Sequence, residues 1–375
     1  MKRKTLFFVA SMLALVLLSS CDIEPLDTSQ SIVLTGRQTD PLVLTDHLTD
    51  ANTPDYVVEG NFDILADVIV EPGVSILMEN GSSIDVKIGG SFYSVGTESE
   101  KITIKGEKLL TPGQWKYIRF RSDNVDNRLE HTNISGGGSD GTYDAMVFIA
   151  YTGYAKIEHC IISFSQRNGI KCEDWRSRLG GIAYANVSFC ELYPIQINAQ
   201  HLPYIESTNR GDGNTHNYIN VEGSQLTNPL RWKKSTFLPY KINGTLSMTD
   251  AVQVEAGTTI FMADGSKIQV SREGSFNCVG TESEKIRIIG ENRVNGAWGY
   301  IRFTNSNSPQ NRFEHCEIAY GGGDNNWEGI LTLVYGSTVS MRNSEIKGSA
   351  RYAVQVQHSQ GNFIDEGDNT FSENT

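Results

Sequence analysis

A chain of 375 residues with 39 % hydrophobic side chains, 36 glycines and only 10 prolines can bury a sizeable core, which excludes a disordered tail. Its 32 basic and 44 acidic side chains leave a charge of −12; without the first 20 residues, which hold Lys2, Arg3 and Lys4, the balance is −15. Such a chain repels a polyanion, which excludes nucleic acid as a partner.

Lys2-Arg3-Lys4 precedes an apolar run from Leu6 to Leu18, 13 residues long and short of the roughly 20 that a membrane-spanning helix needs. This is the pattern of an export signal. The run ends in Leu18-Ser19-Ser20-Cys21, which resembles the lipobox of bacterial lipoproteins. The resemblance implies a signal peptide over residues 1–20, acylation of Cys21 and a membrane partner held through that lipid. Each buried methylene contributes about 0.8 kcal/mol, so several acyl chains on Cys21 keep a domain on a membrane almost permanently. Residues 21–55 are polar, rich in Thr, Asp and Pro and without a sustained period, and read as a tether.

The rest of the chain is written twice, as a first copy over 56–239 and a shorter second copy over 240–375. Val95-Gly-Thr-Glu-Ser-Glu-Lys-Ile102 recurs unchanged as Val279 to Ile286, an offset of 184. Trp115-Lys-Tyr-Ile-Arg-Phe120 lies over Trp298-Gly-Tyr-Ile-Arg-Phe303 at 183, and Gly136-Gly-Gly138 over Gly321-Gly-Gly323 at 185, slips that mark loops. Tyr193-Pro-Ile-Gln-Ile197 resembles Tyr352-Ala-Val-Gln-Val356 at 159, from which the second copy is expected to lack about 25 residues, the stretch around Cys172 to Gly181.

Within each copy the period is two. Val74, Ile76 and Met78, Ile84, Val86 and Ile88, Ile102 and Ile104, and Ile118 and Phe120 alternate with other residues in short runs broken by Pro-Gly, Asn-Gly or Gly-Gly, the mark of short strands and tight turns. A shorter echo at roughly 28–30 residues, at Glu130-His131, Glu158-His159 and Asn186 to Cys190, falls in the range of stacked repeats. Val-Glu-Pro-Gly-Val-Ser-Ile, Gly-Gly-Ser-Phe-Tyr-Ser-Val-Gly-Thr-Glu-Ser-Glu-Lys-Ile and Pro-Gly-Gln-Trp-Lys-Tyr-Ile-Arg-Phe resemble the opening coils of right-handed parallel β-helix proteins of the pectate-lyase-like superfamily, exported by Gram-negative bacteria. The resemblance implies an all-β, internally duplicated β-solenoid in the cell envelope, at the outer membrane or cell surface. It does not decide function, because the fold hosts enzymes, binding modules and stalks alike.

In such a solenoid Thr132, Cys160 and Cys316 share one inward position and Ile134, Ile162 and Ile318 the next. Leu129 and Thr132 are three apart, which places a bulge or corner at Glu130-His131. The recurring Glu-His at 130–131, 158–159 and 314–315 lacks the further ligands zinc needs, and no metal is assigned. Asp123-Asn-Val-Asp126 and Asp365-Glu-Gly-Asp368 are acidic turns open to calcium but without a recognised loop pattern. Five cysteines follow Cys21; Cys160 and Cys190 are the candidates for a disulfide between rungs, the alternative being buried thiols.

No catalytic residue is assigned, since the motifs of polygalacturonase-like hydrolases and pectate lyases are missing from the sequence. Tyr143-Asp144 falls over Trp327-Glu328, after each glycine triplet, and an aromatic face beside a carboxylate is a common way to hold a sugar. Trp115 and Trp298 read as packing residues, and Arg119 and Arg302 as facing solvent. Trp175, Arg176 and Arg178 form a basic aromatic cluster in the stretch that the second copy is expected to lack, a second candidate ligand surface. The leading expectation is binding of a glycan or envelope component without chemistry. A polysaccharide lyase or hydrolase and an adhesive stalk with a protein partner stay open beside it.

Overall fold

The computed structural model describes residues 28–50, 52–172, 175–357 and 361–374. The apolar run and Cys21 lie outside them, and among the described residues no helix is long and apolar enough to cross a membrane. The described residues wind into a right-handed parallel β-solenoid of about 13 turns, with three short strands to a turn and one 3-10 helix, Ala199–Tyr204. One face runs unbroken along the whole solenoid. It starts in Ile32–Gln38 and passes through Ser83–Val86, Ile118–Phe120, Ala145–Ile149, Asn168–Cys172 and Ile195–Asn198 to Thr370–Ser372.

The alternation seen in the sequence builds the core. Each strand places every second side chain inward, where it stacks on its equivalent one rung away at about 4.8 Å. Ile84, Ile118, Val147, Ile170, Ile195, Ile219, Tyr240, Ile260, Ile288, Ile318 and Ile346 form one such column, paired in register from rung to rung. All are buried. Corners are made by single residues in the left-handed region: His131, His159 and Tyr184 at one edge have φ of 45°, 52° and 53°. A left-handed residue between two strands turns the chain, which accounts for the spacing of three between Leu129 and Thr132. It also lines up the outer rings, so that His131 stacks on His159 at 4.7 Å and His159 on Tyr184 at 4.6 Å.

The two tryptophans at the strand openings are core residues. Trp115 and Trp298 are fully buried, and their indole N–H groups donate to the carbonyls of Ser135 at 2.9 Å and Ala319 at 2.8 Å. Each lies flat under a glycine. A Cβ on Gly137 or Gly321 would come within 2.6 Å of the indole, so the ring requires glycine there. Gly137 and Gly321 are 184 apart, and Gly138 and Gly322 share φ near +80°. The offset of 185 read from the glycine triplets is thus one residue out of step: Tyr320, with φ of 68°, takes the place of Gly136.

Three further expectations are corrected. Residues 32–44, read as tether, form the first rung: Ile32–Gln38 pairs with Tyr56–Ile64 and Leu42–Leu44 with Asp67–Val70, burying Leu34 and Leu44. Asp55 closes this end, accepting from the backbone of His47, Leu48 and Ser75. The second copy does not skip the stretch around Cys172 to Gly181, since Asn168–Cys172 and Tyr352–Gln357 occupy equivalent positions at the constant offset of 184, paired to Ala145–Ile149 and Gly329–Val334. The likeness at 159 is the same strand seen one turn later, because Asn168–Cys172 pairs directly with Ile195–Asn198. Cys160 does not meet Cys190, because Ile161 pairs with Asn186 and so sets Cys160 against Ala185.

Among the described residues the cysteines 160, 172, 190, 278 and 316 form no disulfide, and all are buried. Burial pushes the thiols of Cys160 and Cys190 up to about 12. Thiolate is the reactive form, so the folded protein should give almost no reaction with a thiol reagent at pH 8. Residues 22–375 without Cys21 should release five thiols on unfolding in guanidinium; three would reveal a disulfide.

The repeat and the solenoid are out of phase. From Ile102–Gly106 to its equivalent Ile286–Gly290 the chain passes 22 strand positions, counting the isolated bridges at Ile205 and Arg210, and 22 is one more than seven turns of three. Ile286–Gly290 therefore stacks on the face that carries Ile118–Phe120 in the first copy, and not on the face of Ile102–Gly106. The second copy is rotated by about a third of a turn about the long axis. Cys316 accordingly pairs with Ile286 and Ile318 with Ile288, on a different face from Cys160 and Ile162.

Candidate binding sites

The strand Ile118–Phe120 turns Ile118 and Phe120 inward and Arg119 outward, yet Arg119 is only 6 % exposed. It does not face solvent, because two rings cover it: its guanidinium carbon lies 5.1 Å from the Tyr117 ring and 4.2 Å from the Tyr143 ring. Below it, the Asp85 carboxylate accepts from Nε at 3.0 Å and pairs with Nη2. Tyr143 also stacks on Phe148 at 5.3 Å, so its ring roofs the rung. Asp144 receives Arg167 at 3.2 Å and the Asn168 amide.

The second copy repeats this frame. Arg302 lies between Tyr300 at 5.0 Å and Trp327 at 4.7 Å, and Glu328 pairs with Arg351. The phase shift separates the two places. Tyr143 and Trp327 sit about a third of a turn and about seven rungs apart, roughly 34 Å along the axis at the strand spacing. They are two sites, and no ligand smaller than that reaches both.

A third place lies where the faces break. Around residues 199–218 two of the three faces break: regular pairing gives way to the bridges Ile182 to Ile205 and Asn186 to Arg210, and new sheets begin at Gln225–Leu226 and Leu230–Trp232. The 3-10 helix Ala199–Tyr204 fills part of the break and leaves a cleft of about 670 Å³ beside it. Its walls include Tyr154, Trp175, Arg178, Gln200, Tyr204 and Asn228. Trp175 is 72 % exposed, and its carbonyl accepts from the Gln200 amide. Arg178 lies 5.9 Å from the Tyr154 ring and donates to the Asp123 carbonyl at 3.0 Å. Arg176 lies outside the lining of the cleft, 5.9 Å from the Tyr151 ring. At the floor, buried Ser177 bridges Cys172 at 3.2 Å and His201 at 3.3 Å, tying the 3-10 helix to the strand beneath.

The structure thus brings Trp175 and Arg178 into a concave site and adds Tyr154, Gln200, Tyr204 and Asn228, which sequence reasoning missed. They come from three separate stretches, Tyr154, the 3-10 helix with Gln200 and Tyr204, and Asn228, and only knowledge of the break assembles them. The acidic turns are internally engaged: Asp365 Oδ1 accepts from Gly367 and Asn369, and Asp123 faces Arg178. Among the described residues no group of three or more His, Cys, Asp or Glu side chains has the spacing of a metal site. Comparison with protein-family models, with curated proteins and with solved structures gives no match.

Proposed function

We propose that this chain is an exported, lipid-anchored envelope protein that uses a rigid β-helical rod to bind a glycan at the cleft where two of its faces break, without chemistry. The anchoring rests on the n-region, the apolar run and Cys21. The binding rests on the composition of the cleft: the exposed rings of Trp175 and Tyr204 stand beside Arg178, Gln200 and Asn228. A sugar presents C–H faces that stack on aromatic rings and hydroxyls that exchange hydrogen bonds with planar amides and guanidinium groups. The rod supports such a site, because Tyr154 and Arg178 stand in paired strands and Ser177 ties the 3-10 helix to the strand beneath, which prepays part of the ordering cost of binding.

Residues 22–375 applied to an array of bacterial, host and plant glycans, with and without calcium, should select a defined set. Trp175→Ala should weaken binding to that set at least tenfold. A blank array would transfer the reading to an adhesive stalk with a protein partner. New reducing or unsaturated ends in a polysaccharide digest would replace it with an enzyme.

A further inference from the structure

The two copies carry the same cation and aromatic frame, and the first copy shows what the second one is missing. In the first copy Asp63, Asp85, Arg119, Phe148 and Lys171 form one outward column. The corresponding column in the second copy reads Ser247, Gln269, Arg302, Thr332 and Gln355. Both carboxylates, the phenyl ring and the lysine are replaced by uncharged polar side chains. The arginine and its rings are kept. Gln269, where Asp85 would stand, turns its amide to the Tyr300 hydroxyl at 2.9 Å. Among the described residues Arg302 takes part in no ion pair or hydrogen bond, and its Nε is buried without a partner. The neighbouring charges are already matched, Lys267 with Asp324 at 2.8 Å and Arg351 with Glu328.

We infer that Arg302 is a receptor for one carboxylate of a ligand, held between the Trp327 ring and the polar floor of Gln269, Thr332 and Gln355. Arginine held between rings pairs a carboxylate with directed, charge-assisted hydrogen bonds, and partial burial strengthens the pair relative to open water. Arg302 is partly exposed, so a carboxylate from solvent reaches its terminal nitrogens. Trp327 in place of Tyr143 offers a larger stacking face, and Thr332 in place of Phe148 removes the ring on which Tyr143 is stacked. The column holds a single cation, and the mature chain carries −15, so a run of acidic sugars is repelled while one acidic residue on an otherwise neutral glycan is accepted. The ligand class is therefore a neutral oligosaccharide capped by one carboxylate-bearing sugar. The nature of the ligand rests on the glycan reading above; the site is separate from the cleft.

The test measures binding of the exported chain to lactose, to lactose capped by N-acetylneuraminate or by glucuronate, and to the methyl esters of both. At least one acid-capped probe should bind at least tenfold more tightly than its ester and than lactose, with affinity falling as salt rises. Gln269→Asp restores the internal carboxylate of the first copy and should abolish that preference while the far-ultraviolet circular dichroism stays unchanged. Arg302→Gln should do the same, and Trp175→Ala should leave the preference intact. Equal binding of acid and ester, no binding of either acid-capped probe, or an unaltered preference in Gln269→Asp overturns the inference. Loss of neutral glycan binding in Trp175→Ala alone concerns the cleft.

Discussion

Trp298→Ala should lower the unfolding free energy by about 3–5 kcal/mol, the range for removing a buried aromatic side chain from a core that cannot collapse around the gap. The indole is fully buried, is roofed by Gly321 and donates to the Ala319 carbonyl at 2.8 Å, so truncation leaves both a cavity and an unpaired carbonyl. In a solenoid each rung contacts only its neighbours, so the defect stays local while the cooperativity of the whole rod suffers. Urea unfolding followed by circular dichroism should show an earlier transition, and a shallower one if the two halves uncouple. Gly321→Ala should give a defect of the same kind, since its added methyl would sit 2.6 Å from the ring. A loss under 1 kcal/mol in Trp298→Ala would mean that the ring is not the keystone of its rung.

This pairing of Trp and Gly shows both what was legible in the sequence and what was not. Alternating apolar residues and glycine turns specify strands because the period of two is local, and the offset of 184 is legible because whole coils repeat. Three things escape such reading. A solenoid has two periods, and likeness cannot tell one turn from one repeat; Tyr193–Ile197 matched Tyr352–Val356 for that reason. Letters mislead where geometry governs, as when three glycines align at 185 although the one under the indole stays at 184. The face on which a strand falls depends on the count of strands modulo three, which no single motif carries. That count, 22 between equivalent strands, separates Tyr143 from Trp327. The first rung was missed because its apolar residues stand in two unbroken triplets, Ile32-Val33-Leu34 and Leu42-Val43-Leu44, that show no alternation, although only Leu34 and Leu44 are buried.

Asp85→Asn should be as damaging as the loss of the tryptophan, and its effect should depend on pH. Asp85 is 2 % exposed and Arg119 6 %, so removing the carboxylate leaves a guanidinium buried without a counter-charge, a change that costs about 3–5 kcal/mol in buried pairs. Burial by itself raises the Asp85 pKa, but the hydrogen bonds and charges of Arg119 and Lys87 outweigh it and hold the group below its ordinary value of 3.8. A folded-state pKa below the unfolded one means that the pair stabilises fully above about pH 4 and that its contribution fades as pH falls through the depressed folded value. The gap between wild type and Asp85→Asn in urea unfolding should accordingly be constant from pH 7 to 5 and close as the pH drops below 3.8. The second copy is the internal control: Gln269 stands at the same position, but Arg302 is partly exposed and keeps access to water, so it tolerates the missing carboxylate that Arg119 cannot. Asp85→Asn with full stability at pH 7 would show that the Tyr117 and Tyr143 rings alone suffice to hold the buried cation, and a gap that does not narrow at all as the pH falls below 3.8 would show that the carboxylate acts through packing and not through charge.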